Sequence, residues 1–132
     1  MNQVKRRGSV LGIGVDIVSI IRVKDAVETG GEAFLNKAFT EWEQKQAKTH
    51  PNSAAYLAMT FAGKEAIFKT FSIGWETGVQ LAEIDIRNGD SGEPIPILTG
   101  RFAELASLRG VTKILLSLSY DGDYAMAVAS LE

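Results

Sequence analysis

The sequence has no cysteine, one histidine and three prolines in 132 residues. Without thiols there is no disulfide framework, no thiolate zinc site and no cysteine nucleophile. Such a composition fits a reducing, cytoplasmic setting. The lone histidine, His50, stands beside Pro51 and reads as a solvated loop residue rather than a catalytic base. Positive charge is not in excess either. Fourteen basic against sixteen acidic residues leave a net charge of −2, which argues against a nucleic-acid-binding surface. No run approaches the roughly 18 apolar residues of a membrane span. Lys5-Arg6-Arg7 ahead of the apolar stretch Val10 to Ile21 imitates the start of a signal peptide. Asp16 interrupts that stretch, and no small-residue cleavage pattern follows it.

What is present is a globular composition, 45% hydrophobic and 23% charged, with thirteen glycines. The length suits one domain over residues 1–132, and no repeat or linker divides it. Val10–Ile20 reads as a strand. Its period-two alternation puts Leu11, Ile13, Val15 and Ile17 on an expected core face and Gly12, Gly14, Asp16 and Val18 on the other. A helical stretch follows Gly30-Gly31. Thr40-Glu41-Trp42-Glu43 is a capping box that starts a fresh helix, and Pro51 closes it. Asn52 or Ser53 then caps the longest helix, Ala54–Phe71. Glu83–Arg87 alternates as a strand, residues 88–92 form a turn, and Pro94–Leu98 fits only an edge strand. Arg101–Arg109 is a short helix stopped by Gly110. Lys113–Ser119 and Tyr124–Leu131 pair around Asp121-Gly122. The expected class is α+β, a small antiparallel sheet packed with one long and several short helices.

The long helix carries the most chemistry. At about 100° per residue from Leu57, Phe61, Phe68 and Phe71 fall at roughly 40°, 20° and −40°, a buried stripe. Lys64 lies inside that stripe and Glu65 at its edge, with Lys69 one turn beyond Glu65 on the same side. Charges turned inward require partners or a ligand. One reading is a simple i,i+4 ion pair between Glu65 and Lys69, with Asp16 as a strand-end cap. The other is a combined site: a carboxylate beside paired glycines, a second carboxylate and two inward lysines, which suits magnesium and a diphosphate. Gly12-x-Gly14 lacks the third glycine and the following helix of a dinucleotide fingerprint. Ser117 and Ser119 share a strand face and are either phosphate contacts or ordinary strand-end hydroxyls.

Two segments carry a family resemblance together. The first is Gly12-Ile13-Gly14-Val15-Asp16-Ile17 leading to Arg22; the second is Phe61-Ala62-Gly63-Lys64-Glu65-Ala66-Ile67-Phe68-Lys69. Phe39-Thr40-Glu41-Trp42-Glu43, Gly92-Glu93-Pro94, Ser117-Leu118-Ser119 and Tyr124-Ala125 follow in the matching order. In these the chain resembles the holo-acyl-carrier-protein synthases, the small bacterial type of 4′-phosphopantetheinyl transferase. The resemblance implies that fold, a homotrimer with coenzyme A in clefts between subunits, and an acyl carrier protein as partner. It implies transfer of 4′-phosphopantetheine from coenzyme A to a carrier serine. Asp16 and Glu65 would hold Mg²⁺, Glu65 doubling as a base. Lys69 would act at the transferring phosphate, and Lys64 would add positive charge to the phosphate pocket. Ser119 and Tyr120 would contact coenzyme A, and Arg22 would face the carrier. Two positions depart from the family pattern: Tyr120 replaces a histidine, and Thr60 an arginine. A tyrosine hydroxyl donates to phosphate but carries no positive charge near neutral pH. These departures motivate the alternative of a non-catalytic carrier-binding module of the same fold.

Overall fold

The structure is a computed structural model that describes residues 9–132. The Lys5-Arg6-Arg7 cluster lies outside the described residues. The chain opens with strand β1 (Gly12–Ser19) and turns directly into helix α1 (Ile20–Ala38). Ser19 caps α1 by accepting from the Arg22 amide at 3.3 Å. Sequence patterning places a helix only after Gly30-Gly31; the helix begins at Ile20, ahead of both glycines, and is kinked at Gly31 (φ 55°, ψ −141°), a conformation open essentially to glycine. Helix α2 (Glu41–Thr49) carries the expected capping box between Thr40 and Glu43. Helix α3 (Ser53–Thr70) is capped by Asn52. Two short 3-10 turns lead to the hairpin of β2 (Ile84–Asn88) and β3 (Pro94–Leu98). Helix α4 (Gly100–Leu108) precedes the hairpin of β4 (Ile114–Asp121) and β5 (Tyr124–Leu131). Its turn is Gly122-Asp123, one residue later than expected, because Asp121 still pairs with Tyr124.

The strands form two antiparallel sheets rather than one: β1-β5-β4, and β2-β3 apart. Helix α3 lies across the three-stranded sheet and is buried on most of its circumference by Ala55, Leu57, Ala58, Ala62, Gly63, Ala66 and Ile67. Phe61 and Phe68, expected at the centre of the stripe, are only partly buried. Phe39, Phe71 and Phe102 are fully enclosed, each contributing about 1.5–3 kcal/mol of apolar burial.

The face assignment of β1 is inverted. Leu11, Ile13, Val15 and Ile17 are 51–71% exposed, while the Gly12, Gly14, Asp16 and Val18 side meets α3. The reason is contact between backbones. A Cβ on Gly12 would sit 2.1 Å from the Thr70 carbonyl oxygen, and one on Gly14 2.1 Å from that of Ala66. Only residues without side chains let the strand approach this closely. That approach carries Asp16 to the seam between sheet and helix.

Candidate active site

Asp16 emerges from the middle of β1 on the α3 side, in the row Asp16–Ala127–Leu118 across the sheet. Lys69, in the last turn of α3, reaches back to it. Its Nζ donates to Asp16 Oδ1 at 2.9 Å and to the Val15 carbonyl at 3.0 Å. Lys69 is half-exposed, whereas the Asp16 side chain retains only 14% of its surface. The second carboxylate oxygen, Oδ2, is buried and has no hydrogen-bond partner among the described residues. Glu65 lies one turn before Lys69. Burial pushes its carboxyl above the ordinary carboxylate value, the negative charge of Asp16 adds to that shift, and Lys69 opposes it. The structure therefore gathers Asp16, Glu65 and Lys69. Lys69 takes Asp16 as its ion partner, not the i,i+4 partner Glu65.

Lys64 is not part of this group. Its side chain is fully buried and pairs with Glu43 at 2.6 Å. Its ammonium also donates to the carbonyls of Ile84 at 2.8 Å and Leu81 at 3.2 Å. Glu43 accepts from the Thr40 amide at 2.8 Å through Oε1 and the Ile86 amide at 2.7 Å through Oε2. The inward orientation read from the helix stripe is real, but the charge is neutralised inside the fold rather than offered to a phosphate. Burial raises the Glu43 carboxyl and lowers the Lys64 ammonium. Their mutual attraction opposes both shifts, the amides of Ile86 and Thr40 oppose the first, and the charge of Asp85 opposes the second. Sequence reasoning gave Glu43 no role beyond its cap. The signal available was an inward lysine in need of an anion.

The remaining candidates spread around this centre. Tyr120, 44% exposed, lies on the α3 side of β4, in register with Ala125 and Val18. Ser119 points to the opposite sheet face, in the row of Met126 and Ile17, and so is not joined to Asp16 within one chain. Arg22 is exposed in the first turn of α1. Thr60, at the position of the family arginine, is 2% exposed and faces the interior. His50 is exposed, accepts from the Asn52 amide through Nδ1 at 3.0 Å and stacks on Tyr56. Two adjoining hollows share Phe34 and Phe61 as walls. The smaller, about 300 Å³, runs from Ile17 and Ser19 to Arg22. The larger, about 620 Å³, reaches Lys37, Trp75 and Gln80. Trp75 stacks on Phe68 with ring centroids 3.8 Å apart.

No group of three or more acidic or histidine side chains is clustered for a metal among the described residues. The donor set at Asp16 is two carboxylates. That number suits magnesium, which commonly takes one or two carboxylates and completes its shell with water and phosphate oxygens. The buried, unpartnered Asp16 Oδ2 is an acceptor in want of a cation or donor, so the residues fit such an ion.

Comparison with known proteins identifies the family. Residues 12–129 match the family model of the 4′-phosphopantetheinyl transferase superfamily. A holo-[acyl-carrier-protein] synthase of Desulforudis audaxviator is 41% identical over 120 residues, covering 91% of both chains. The crystal structure of the Neisseria meningitidis synthase superposes with a TM-score of 0.86 at 28% identity, covering 94% of this chain and 99% of that one. The Helicobacter pylori synthase in complex with coenzyme A gives 0.79 at 27% identity, covering 91% and 99%. The chain belongs to the 4′-phosphopantetheinyl transferase superfamily and, within it, to the holo-[acyl-carrier-protein] synthases.

Proposed function

We propose that this protein transfers the 4′-phosphopantetheine group of coenzyme A to a serine of an apo acyl carrier protein. The serine oxygen bonds to the β-phosphorus, the bond from that phosphorus to the bridging oxygen breaks, and adenosine 3′,5′-bisphosphate leaves. Phosphoryl-type transfer asks mainly for positioning and charge neutralisation. The observation that carries the reading is the unpartnered, buried oxygen of Asp16 beside Glu65 and Lys69.

Asp16 and Glu65 would hold Mg²⁺, which when bound supplies Lewis acidity and a template for the diphosphate. Lys69, with half its surface open, is free to exchange Asp16 for a phosphate oxygen and to stabilise charge on the transferring group. The raised Glu65 carboxyl suits it to accept the serine proton, directly or through water. The apolar hollows beside Phe34 and Phe61 suit the uncharged arm of coenzyme A. Arg22 is exposed and suits an acidic helix of the carrier.

The open sheet face supports assembly with further copies as a homotrimer. Ile13, Val15, Ile17, Met126 and Val128 are 43–71% exposed on it, and a contiguous apolar patch of this kind marks an interaction surface. Ser119 shares this face, so its contact with coenzyme A would be made at a subunit boundary. No helix among the described residues is long and apolar enough to cross a membrane, and we place the enzyme in the cytoplasm.

The test is the intact mass of an apo carrier protein incubated with coenzyme A, Mg²⁺ and this protein. A phosphopantetheine mass gain that disappears with Asp16→Ala or Glu65→Ala is expected. Carrier binding without any mass gain, across several carriers, would instead make it a non-catalytic carrier-binding module.

A further inference from the structure

We propose that Glu43 and Lys64 are positioning residues whose buried pair sets the rotation of α3 and thereby holds Glu65 opposite Asp16. The inference rests on the reading of Asp16 and Glu65 as the pair that holds the cation.

The packing of α3 explains why such a device is needed. Much of its buried surface is Ala55, Ala58, Ala62, Gly63 and Ala66. These small residues let the α3 backbone meet β1 so closely that a Cβ on Gly12 or Gly14 would fall 2.1 Å from a helix carbonyl oxygen. The larger buried side chains, Leu57 and Ile67, make apolar contacts that fix no single hydrogen-bonded direction. Small rotations matter at the next residue. A side-chain tip about 5–6 Å from the axis moves about 2 Å when the helix turns by about 20°. A misplacement of about 1 Å can cost about 10²-fold in rate.

The Glu43–Lys64 pair supplies the missing direction. Lys64 Nζ is held by Glu43 from α2 at 2.6 Å and by the carbonyls of Leu81 and Ile84. Glu43 is in turn fixed by the amides of Thr40 and Ile86. Three groups from two separate stretches, α2 and residues 81–84, thus converge on one atom of α3, and neither charged group retains exposed surface. A buried ion pair is weak evidence for stability, because apolar residues of similar volume often replace it without loss. Its directionality is what an apolar replacement lacks.

The test compares the parent with the double variant Glu43→Leu/Lys64→Met, which keeps side-chain volume and removes both charges together. Expected are a melting temperature within about 5 °C of the parent and KM values for coenzyme A and carrier within about threefold. The kcat falls by about 10–100-fold, and Mn²⁺ titrated by electron paramagnetic resonance binds about 10–100-fold more weakly. Should that variant fail to fold, Glu43→Gln is measured in the same way. It retains one acceptor for Lys64 and places an amide against the Ile86 N–H, and a loss of Mn²⁺ affinity of at least about fivefold is expected. Unchanged kcat and Mn²⁺ affinity in a folded variant would overturn the positioning role alone. Absence of Mn²⁺ binding by the parent would overturn the cation-site reading and this inference with it.

Discussion

Lys64 and Glu65 are adjacent in α3, yet their surroundings are opposites. Lys64 is enclosed, and each of its donors, like each carboxylate oxygen of its partner Glu43, finds a protein group. Glu65 shares a seam with Asp16 and a half-open Lys69, where two negative charges meet one positive and a buried oxygen is left over. The helical step of about 100° delivers one residue to the interior and the next to the seam. A charge whose hydrogen-bonding capacity is spent inside the fold holds structure in place; one whose capacity is left open is available for chemistry.

The comparison breaks first at the enclosed pair. Lys64→Ala leaves Glu43 buried and unpaired, so chemical denaturation is expected to show a loss of about 3–5 kcal/mol. A variant as stable as the parent would mean that the pair is not buried in solution. At the seam the expectation reverses. Asp16→Ala should lower the transfer rate by about 10²–10³-fold while the melting temperature stays within a few degrees, as read by mass-based kinetics and calorimetry. Lys69→Met should cost about 10–10²-fold in rate, yet under about 1 kcal/mol in stability, since its ion pair is half-exposed. The smallest effect sharpens the contrast most. The Glu65 carboxyl lies above its ordinary value, so the fold favours the protonated form. Stability is then fully present below the ordinary carboxylate range and is lost as pH rises through the raised value. Glu65→Gln should therefore raise the melting temperature of the metal-free protein at pH 7 and leave it unchanged near pH 4. A decrease at pH 7 would contradict the burial of Glu65 and its crowding by Asp16.

Legibility followed the range of the interaction. The capping box at Thr40–Glu43, the hairpin of β4 and β5, the proline-bearing edge strand β3 and the long helix were all readable, because their signals lie within a few residues. The inward side of β1 was not. Period two separates two faces, but which one packs is decided by what lies across from it. Here the glycine face meets an alanine-rich helix, and the apolar face is left open. The first half of α1 escaped because Ser19 lacks an acidic residue three positions later; Arg22 stands there. The stripe on α3 required a partner for Lys64 but had no means of choosing Glu43, since helix geometry says nothing of a side chain on another helix. The motifs named Asp16, Glu65 and Lys69 as one group, and the structure sets Lys69 against Asp16 with Glu65 near enough to feel the charge of both.

The central claim, that two carboxylates from β1 and α3 share one hard cation, is met most directly by anomalous diffraction from crystals grown with Mn²⁺ and coenzyme A. The account predicts one Mn²⁺ peak within about 2.1 Å of an oxygen from each of Asp16 and Glu65, the spacing of an octahedral hard ion. A peak ligated by neither residue, or no peak at saturating Mn²⁺, would contradict it.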